Sequence, residues 1–157
     1  MNTIKRYLFL PIFISLLVFP HLIYASSTSS IDNDLQAFYN SIRQIQKQFT
    51  FVAENAYVNK IQGNPNDDLQ KLLDSTEPQT SALSSQLSIY NQGRTLSNNQ
   101  QIKLRALQTS IDYLNFFREI LTTYINSSDP HEQYSNINLF HVANSLLNFN
   151  LQSFITP

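Results

Sequence analysis

Three residues able to move protons or bind a metal stand close together in SSDPHEQY, residues 127–134: Asp129, His131 and Glu132. A carboxylate beside an imidazole can act in general acid–base catalysis, and both groups are common metal ligands. The same spacing also suits a helix start, with Asp129 as N-cap, Pro130 as the first helical residue and Glu132 as the third. We therefore predict a helix that begins at Pro130 with a capping box and leaves His131 exposed, rather than a reactive site.

The other chemistry-bearing residues form no recognisable site. The absence of cysteine excludes disulfides, Cys-ligated zinc and thiol nucleophiles. Gly63 and Gly93 are the only glycines, which leaves no G-x-S-x-G elbow and no phosphate-binding loop. His131 and His141 would lie on different faces of a helix, and Met1 is the only methionine for a haem of the histidine–methionine type. We predict no catalytic residue, no metal and no cofactor.

The first residues have the pattern of a secretory signal peptide. Lys5 and Arg6 precede an apolar run, Tyr7–Phe19, that contains no charge. The following LIYASS places the small residue Ala25 at a position that signal peptidase accepts. We predict that residues 1–25 are a cleavable signal, typical of a bacterial exported protein bound for the periplasm or the medium.

Residues 26–157 then form one domain of ordinary size. An uncleaved anchor is the alternative, because Tyr7–Tyr24 approaches the roughly 17–20 residues that cross a bilayer; after cleavage we expect no membrane span. Removal of Lys5 and Arg6 from the 10 basic residues leaves an excess of acidic residues, of which there are 11. This charge balance argues against a nucleic-acid partner.

Hydrophobic periodicity predicts helices throughout this domain. In the first segment the apolar residues recur at alternating steps of four and three, and Gly63 and Pro65 should end the helix. This stripe consists of Ile31, Leu35, Phe38, Ile42, Ile45, Phe49, Val52 and Ala56.

The second segment runs from Asp67 to Gly93, with a kink or break expected between Ser75 and Pro78. The third opens with LSNNQ, in which Ser97 and Gln100 can form a capping box. This pentapeptide is similar to the L-T-x-x-Q element of small periplasmic helical chaperones, with serine for threonine, but a capping box accounts for the same five residues.

The last segment is ambiguous, because LLNFNLQSF alternates like a strand as well as fitting a helix. We favour the helix, since a lone strand would have no partner. The four segments and their short connections predict an all-α, elongated up-down-up-down bundle of about four helices, the second kinked or broken near Pro78.

Aromatic residues beside the main stripes are the candidates for an interaction surface, although they can equally widen the buried face of each helix. They are Phe51, Tyr57, Tyr113, Phe116, Tyr124 and Tyr134.

Arg118 falls where an apolar residue was due, so we expect Phe117 to take the core position while the Arg118 head stays in water. The leading hypothesis is a non-enzymatic exported module that binds another protein, with a chaperone-like or toxin-neutralising role as a variant and a second copy as a further possible partner. The alternative is an apolar-ligand carrier or unrecognised enzyme, in which Arg118, His141 and Asn144 face inward together.

Overall fold

The computed structural model describes residues 31–92 and 94–154. The predicted signal peptide, residues 1–25, lies outside the described residues. The described elements are α1 (Ile31–Gln62), α2 (Asp67–Asp74), α3 (Thr76–Asn91), α4 (Asn98–Asn126), α5 (Pro130–Leu151) and a 3₁₀ turn (Gln152–Phe154). They contain no strand, and α2 and α3 together form one arm of a four-helix up-and-down bundle, which confirms the predicted fold class.

Helix α1 buries the predicted stripe along its whole length. Seven of the eight stripe residues are buried, and Ile31 packs against them at the N-terminal end. Gly63 ends the helix with φ of 68°. The amide of Gly63 donates to Lys60 O at 3.4 Å and that of Asn64 to Asn59 O at 2.8 Å, which is the hydrogen-bond pattern of a Schellman motif.

The second arm bends by 15° where α2 meets α3. Pro78 is the third residue of α3, so its missing N–H removes no intrahelical hydrogen bond. At the junction the hydroxyls of Ser75 and Thr76 donate to the carbonyls of Leu72 and Leu73, at 2.7 and 2.6 Å. The break therefore falls where the proline predicted it, while the chain direction changes little.

Helix α4 is the central element, because it packs against α1, α2, α3 and α5. Its predicted capping box is present: Gln100 N donates to Ser97 Oγ at 3.3 Å, and Ser97 N donates to Gln100 Oε1 at 3.0 Å. Helices α1 and α5 contact each other much less. The bundle is thus built around α4 rather than around four equal interfaces.

Phe117 of α4 connects three helices through aromatic contacts. Its ring centroid lies 5.8 Å from Phe49 of α1 and 5.1 Å from Phe140 of α5, both in edge-on geometry. Tyr113, one turn earlier on α4, lies 6.4 Å away. Because the three phenylalanines are fully buried, this cluster is the centre of the core.

Helix α5 resolves the ambiguity of the last segment in favour of helix. Asp129 caps it by accepting from His131 N at 3.0 Å, as predicted. The prediction that the Glu132 side chain accepts a hydrogen bond from the Asp129 amide is wrong, because this amide donates to Ser127 Oγ at 3.1 Å instead. A serine two residues before the cap thus takes the role expected of the glutamate.

Phe117→Ala should lower the free energy of unfolding by about 3–5 kcal/mol, since it leaves a cavity that three helices share. The neighbouring Phe116→Ala is the matched control, because Phe116 is 38% exposed and lies outside the buried cluster, and it should cost clearly less than Phe117→Ala. Urea unfolding followed by circular dichroism measures both. Equal losses in the two variants would contradict the central role of Phe117.

Candidate functional site

The structure divides the six predicted aromatic candidates into two groups. Tyr124 is buried, and Phe51 and Tyr113 are partly buried against the core. Only Tyr57, Phe116 and Tyr134 are exposed. The first group therefore widens the core, and the second lies on three different helices, α1, α4 and α5.

Tyr124 belongs to a contact that closes the C-terminal end of α4. Lys60 of α1 donates from Nζ to Ile125 O at 3.0 Å and to Ser127 O at 2.9 Å, and it lies 5.5 Å from the centre of the Tyr124 ring. A cation at this position satisfies free carbonyls and complements the helix dipole. Burial raises the pKa of Tyr124 above its ordinary value, with a smaller contribution from Tyr57, and burial lowers the pKa of Lys60.

The raised pKa of Tyr124 predicts a loss of stability in alkali. The unfolded chain releases the phenolic proton near pH 10, before the folded chain does, so the contribution is fully present below about pH 10 and is lost as pH rises through the folded pKa. Tyr124→Phe keeps the packing but removes this titration. Urea midpoints between about pH 9 and about pH 11 should fall less in Tyr124→Phe than in the parent, and parallel curves would contradict the assignment.

Arg118 lies between the core and a neighbouring helix rather than with its head in water. Phe117 occupies the core position, as predicted. The Arg118 side chain is 25% exposed, and its Nη1 atom is buried. Nη1 lies 3.2 Å from Oε2 of Glu77 on α3 and forms an ion pair with it, without hydrogen-bond geometry. The expectation of a solvated head is wrong because α3 passes beside α4 at this level and supplies the carboxylate.

Asn144 belongs to an amide network that joins α5 to α1. The buried Gln46 of α1 donates from Nε2 to Asn144 Oδ1 and to Asn148 Oδ1, the latter at 3.1 Å. Arg43 donates from Nη1 to Gln46 Oε1 at 2.7 Å and also to Asn148 Oδ1. Asn144 therefore interrupts the apolar line of α5 where polar groups replace apolar packing between these two helices.

Gln46→Ala should lower the free energy of unfolding by about 1–3 kcal/mol, because it removes a buried amide and leaves the partly buried Asn144 Oδ1 without its donor. Gln44→Ala is the matched control, since Gln44 is an exposed residue on the same helix and should be nearly neutral. Chemical denaturation of the two variants makes the comparison. A neutral Gln46→Ala would show that the network contributes nothing to the docking of α5.

His131 and His141 are both exposed on α5. His131 stands in the first turn, as predicted, and the His141 ring lies beside that of Phe140, 5.5 Å between centroids. Within residues 31–92 and 94–154, no three His, Cys, Asp or Glu side chains lie close enough together to hold a metal ion. Arg118, His141 and Asn144 do not converge, because Arg118 pairs with α3, Asn144 bonds to α1 and His141 faces outward.

Helix α5 instead presents a second apolar face, which sequence reasoning missed. Its first face is buried and consists of Ile137, Phe140, Ala143, Leu147 and Leu151. The second, here called the apolar stripe, consists of Leu139, Val142, Leu146 and Phe149, which are 42%, 58%, 49% and 72% exposed.

At about 100° per residue, these four side chains share an arc of about 80° whose centre lies about 140° from the centre of the buried face. The sequence shows this second face as four apolar residues spaced by three, four and three positions. Together with the buried face, however, these residues produce the apolar–polar alternation that is also typical of a strand.

The apolar stripe is free of charged side chains along its whole length. From Gln133 to Pro157 the sequence contains no Asp, Glu, Lys or Arg. A partner therefore meets neither a charge to desolvate on this segment nor a fixed charge to match. An exposed, contiguous apolar surface of this kind on a folded chain is typical of an interaction site.

None of the described helices combines the length and the hydropathy that crossing a bilayer requires. No family model matches the chain, and no curated protein or solved structure shows significant similarity to it.

Proposed function

We propose that this chain is an exported, non-enzymatic helical bundle that acts by binding another protein. The observation that carries the proposal is the apolar stripe of α5, four large apolar side chains on the outer face of a helix whose opposite face is already buried. A helix face of this kind lowers the free energy of the molecule when a second protein surface covers it.

Export and the absence of a reaction rest on the sequence. The run Tyr7–Phe19 and the small residue Ala25 support cleavage and release into the periplasm or the medium. The polar side chains that suggested chemistry have structural partners instead, as with the Asp129 cap and the Arg118–Glu77 ion pair. These contacts favour a binding module over an enzyme.

The carrier hypothesis required Arg118, His141 and Asn144 to surround one internal space. Arg118 instead pairs with α3, Asn144 bonds to α1 and His141 is exposed, so these contacts give that arrangement no support. The proposed binding surface therefore differs from the residues first suspected, and among the nine only Tyr134 and His141 share its helix with outward-facing positions.

Site-specific photocrosslinking tests the proposal. A benzophenone amino acid replaces Phe149 in the stripe, and in the control it replaces Tyr57, an exposed aromatic residue on α1. After irradiation in the compartment to which the chain is exported, we expect a discrete protein adduct at position 149, whether with another protein or with the chain itself, and none at 57. No adduct at 149, or the same adducts at both positions, would contradict binding through the stripe.

A further inference from the structure

We propose that the occupant of the apolar stripe is the apolar stripe of a second copy of this chain, packed antiparallel to it around a twofold axis. The inference rests on the proposed function and names its partner: the protein that covers the stripe is a second copy of this chain rather than a different protein. It names the partner through three properties of the stripe: its spacing, its lack of charge and its position on the bundle.

The spacing of the stripe is symmetric. Leu139, Val142, Leu146 and Phe149 follow one another at steps of three, four and three, so their midpoint lies halfway between Val142 and Leu146. A twofold axis at that level places Val142 opposite Leu146 of the second copy and Leu139 opposite Phe149. A twofold interface requires this kind of self-complementarity, in which each contact occurs twice.

The distribution of charge favours the antiparallel arrangement. The acidic residues of this region, Asp129 and Glu132, are at the N-terminal end of α5, and no charged side chain follows up to Pro157. A parallel pair would bring four carboxylates together at one end, whereas an antiparallel pair with its axis at the level of residue 144 separates the two Glu132 residues by about 36 Å and the two Asp129 residues by about 45 Å along the helices. The antiparallel pair also aligns the two helix dipoles favourably.

The position of the stripe allows a second helix to approach. Its centre lies about 140° around α5 from the buried face, so contact with a second copy leaves the packing of α5 on α4 unchanged. The four side chains expose on the order of 400 Å² per copy, within the range of about 300–600 Å² for the largest apolar patch of a monomer. Two such patches together bury about 800 Å². The polar side chains that flank the stripe on α5 must supply the rest of the roughly 1,200 Å² at which specific interfaces begin.

The absence of cysteine from the chain makes a direct test possible. Leu139→Cys and Phe149→Cys are prepared separately, one with a larger tag, and oxidised alone and as a mixture. In the antiparallel pair, two copies of the same cysteine lie about 15 Å apart along the helix axis, which is too far for a disulfide. Residue 139 of one copy, by contrast, lies opposite residue 149 of the other.

We expect a covalent dimer containing both tags in the mixture and little dimer in either single variant. Dimers in both single variants would indicate a parallel pair and overturn the antiparallel arrangement. No dimer in any sample would overturn the second copy as occupant. A foreign adduct at position 149 in the photocrosslinking experiment would then leave the proposed function standing without this inference.

A second measurement tests whether the protein without introduced cysteines forms the dimer in solution. Val142→Glu places a charge in the middle of the stripe, and Ile89→Glu is the control on α3, where Ile89 is 55% exposed against 58% for Val142. Light scattering of the purified protein at tens of micromolar should give the mass of two chains for the parent and for Ile89→Glu, and of one chain for Val142→Glu. A parent of one-chain mass, or a Val142→Glu protein that still has two-chain mass with native circular dichroism, would overturn the proposal.

Discussion

The burial of Phe117 is the constraint on which the arrangement of the helices depends. Its contacts with Phe49 and Phe140 fix the level at which α1 and α5 meet α4. A chain without disulfides has only packing and hydrogen bonds to hold its helices in place. Because α4 contacts every other helix between residues 31 and 154, a side chain at its centre determines more of the described fold than any residue of the outer helices.

Around this centre, α4 makes different kinds of contact with α5 on one side and with α3 on the other. Toward α5 the contact is mostly apolar, supplemented by Asn150, which donates to Ala106 O at 2.7 Å and to Ser110 Oγ at 2.9 Å. Toward α3 an ion pair, Arg118 with Glu77, covers the edge of the core. Polar contacts therefore border the apolar core on both sides of α4.

The outer helix α5 is the element that connects the fold with the proposed function. One of its faces packs on α4, its amides reach Gln46 on α1, and its remaining face is the apolar stripe. An outer helix with two apolar faces retains hydrophobic surface that its own chain does not cover. The proposed binding role uses the side of α5 that turns outward because Phe140 and Leu147 hold the opposite side in the core.

The sequence by itself determined the helices and their ends. The alternating stripe of α1, Gly63 in its left-handed conformation and the capping box of Ser97 and Gln100 are local features, dictated by helix periodicity and by the hydrogen bonds of the terminal turns. The sequence also indicated the buried face of α5, through Ile137, Phe140, Leu147 and Leu151. Only the tertiary structure decided that the second apolar face of α5 stays exposed, that Tyr124 packs inward and that Arg118 meets Glu77. The physical reason is that periodicity shows which side chains share a face of a helix, whereas the neighbour that covers this face is set by contacts distant in the sequence.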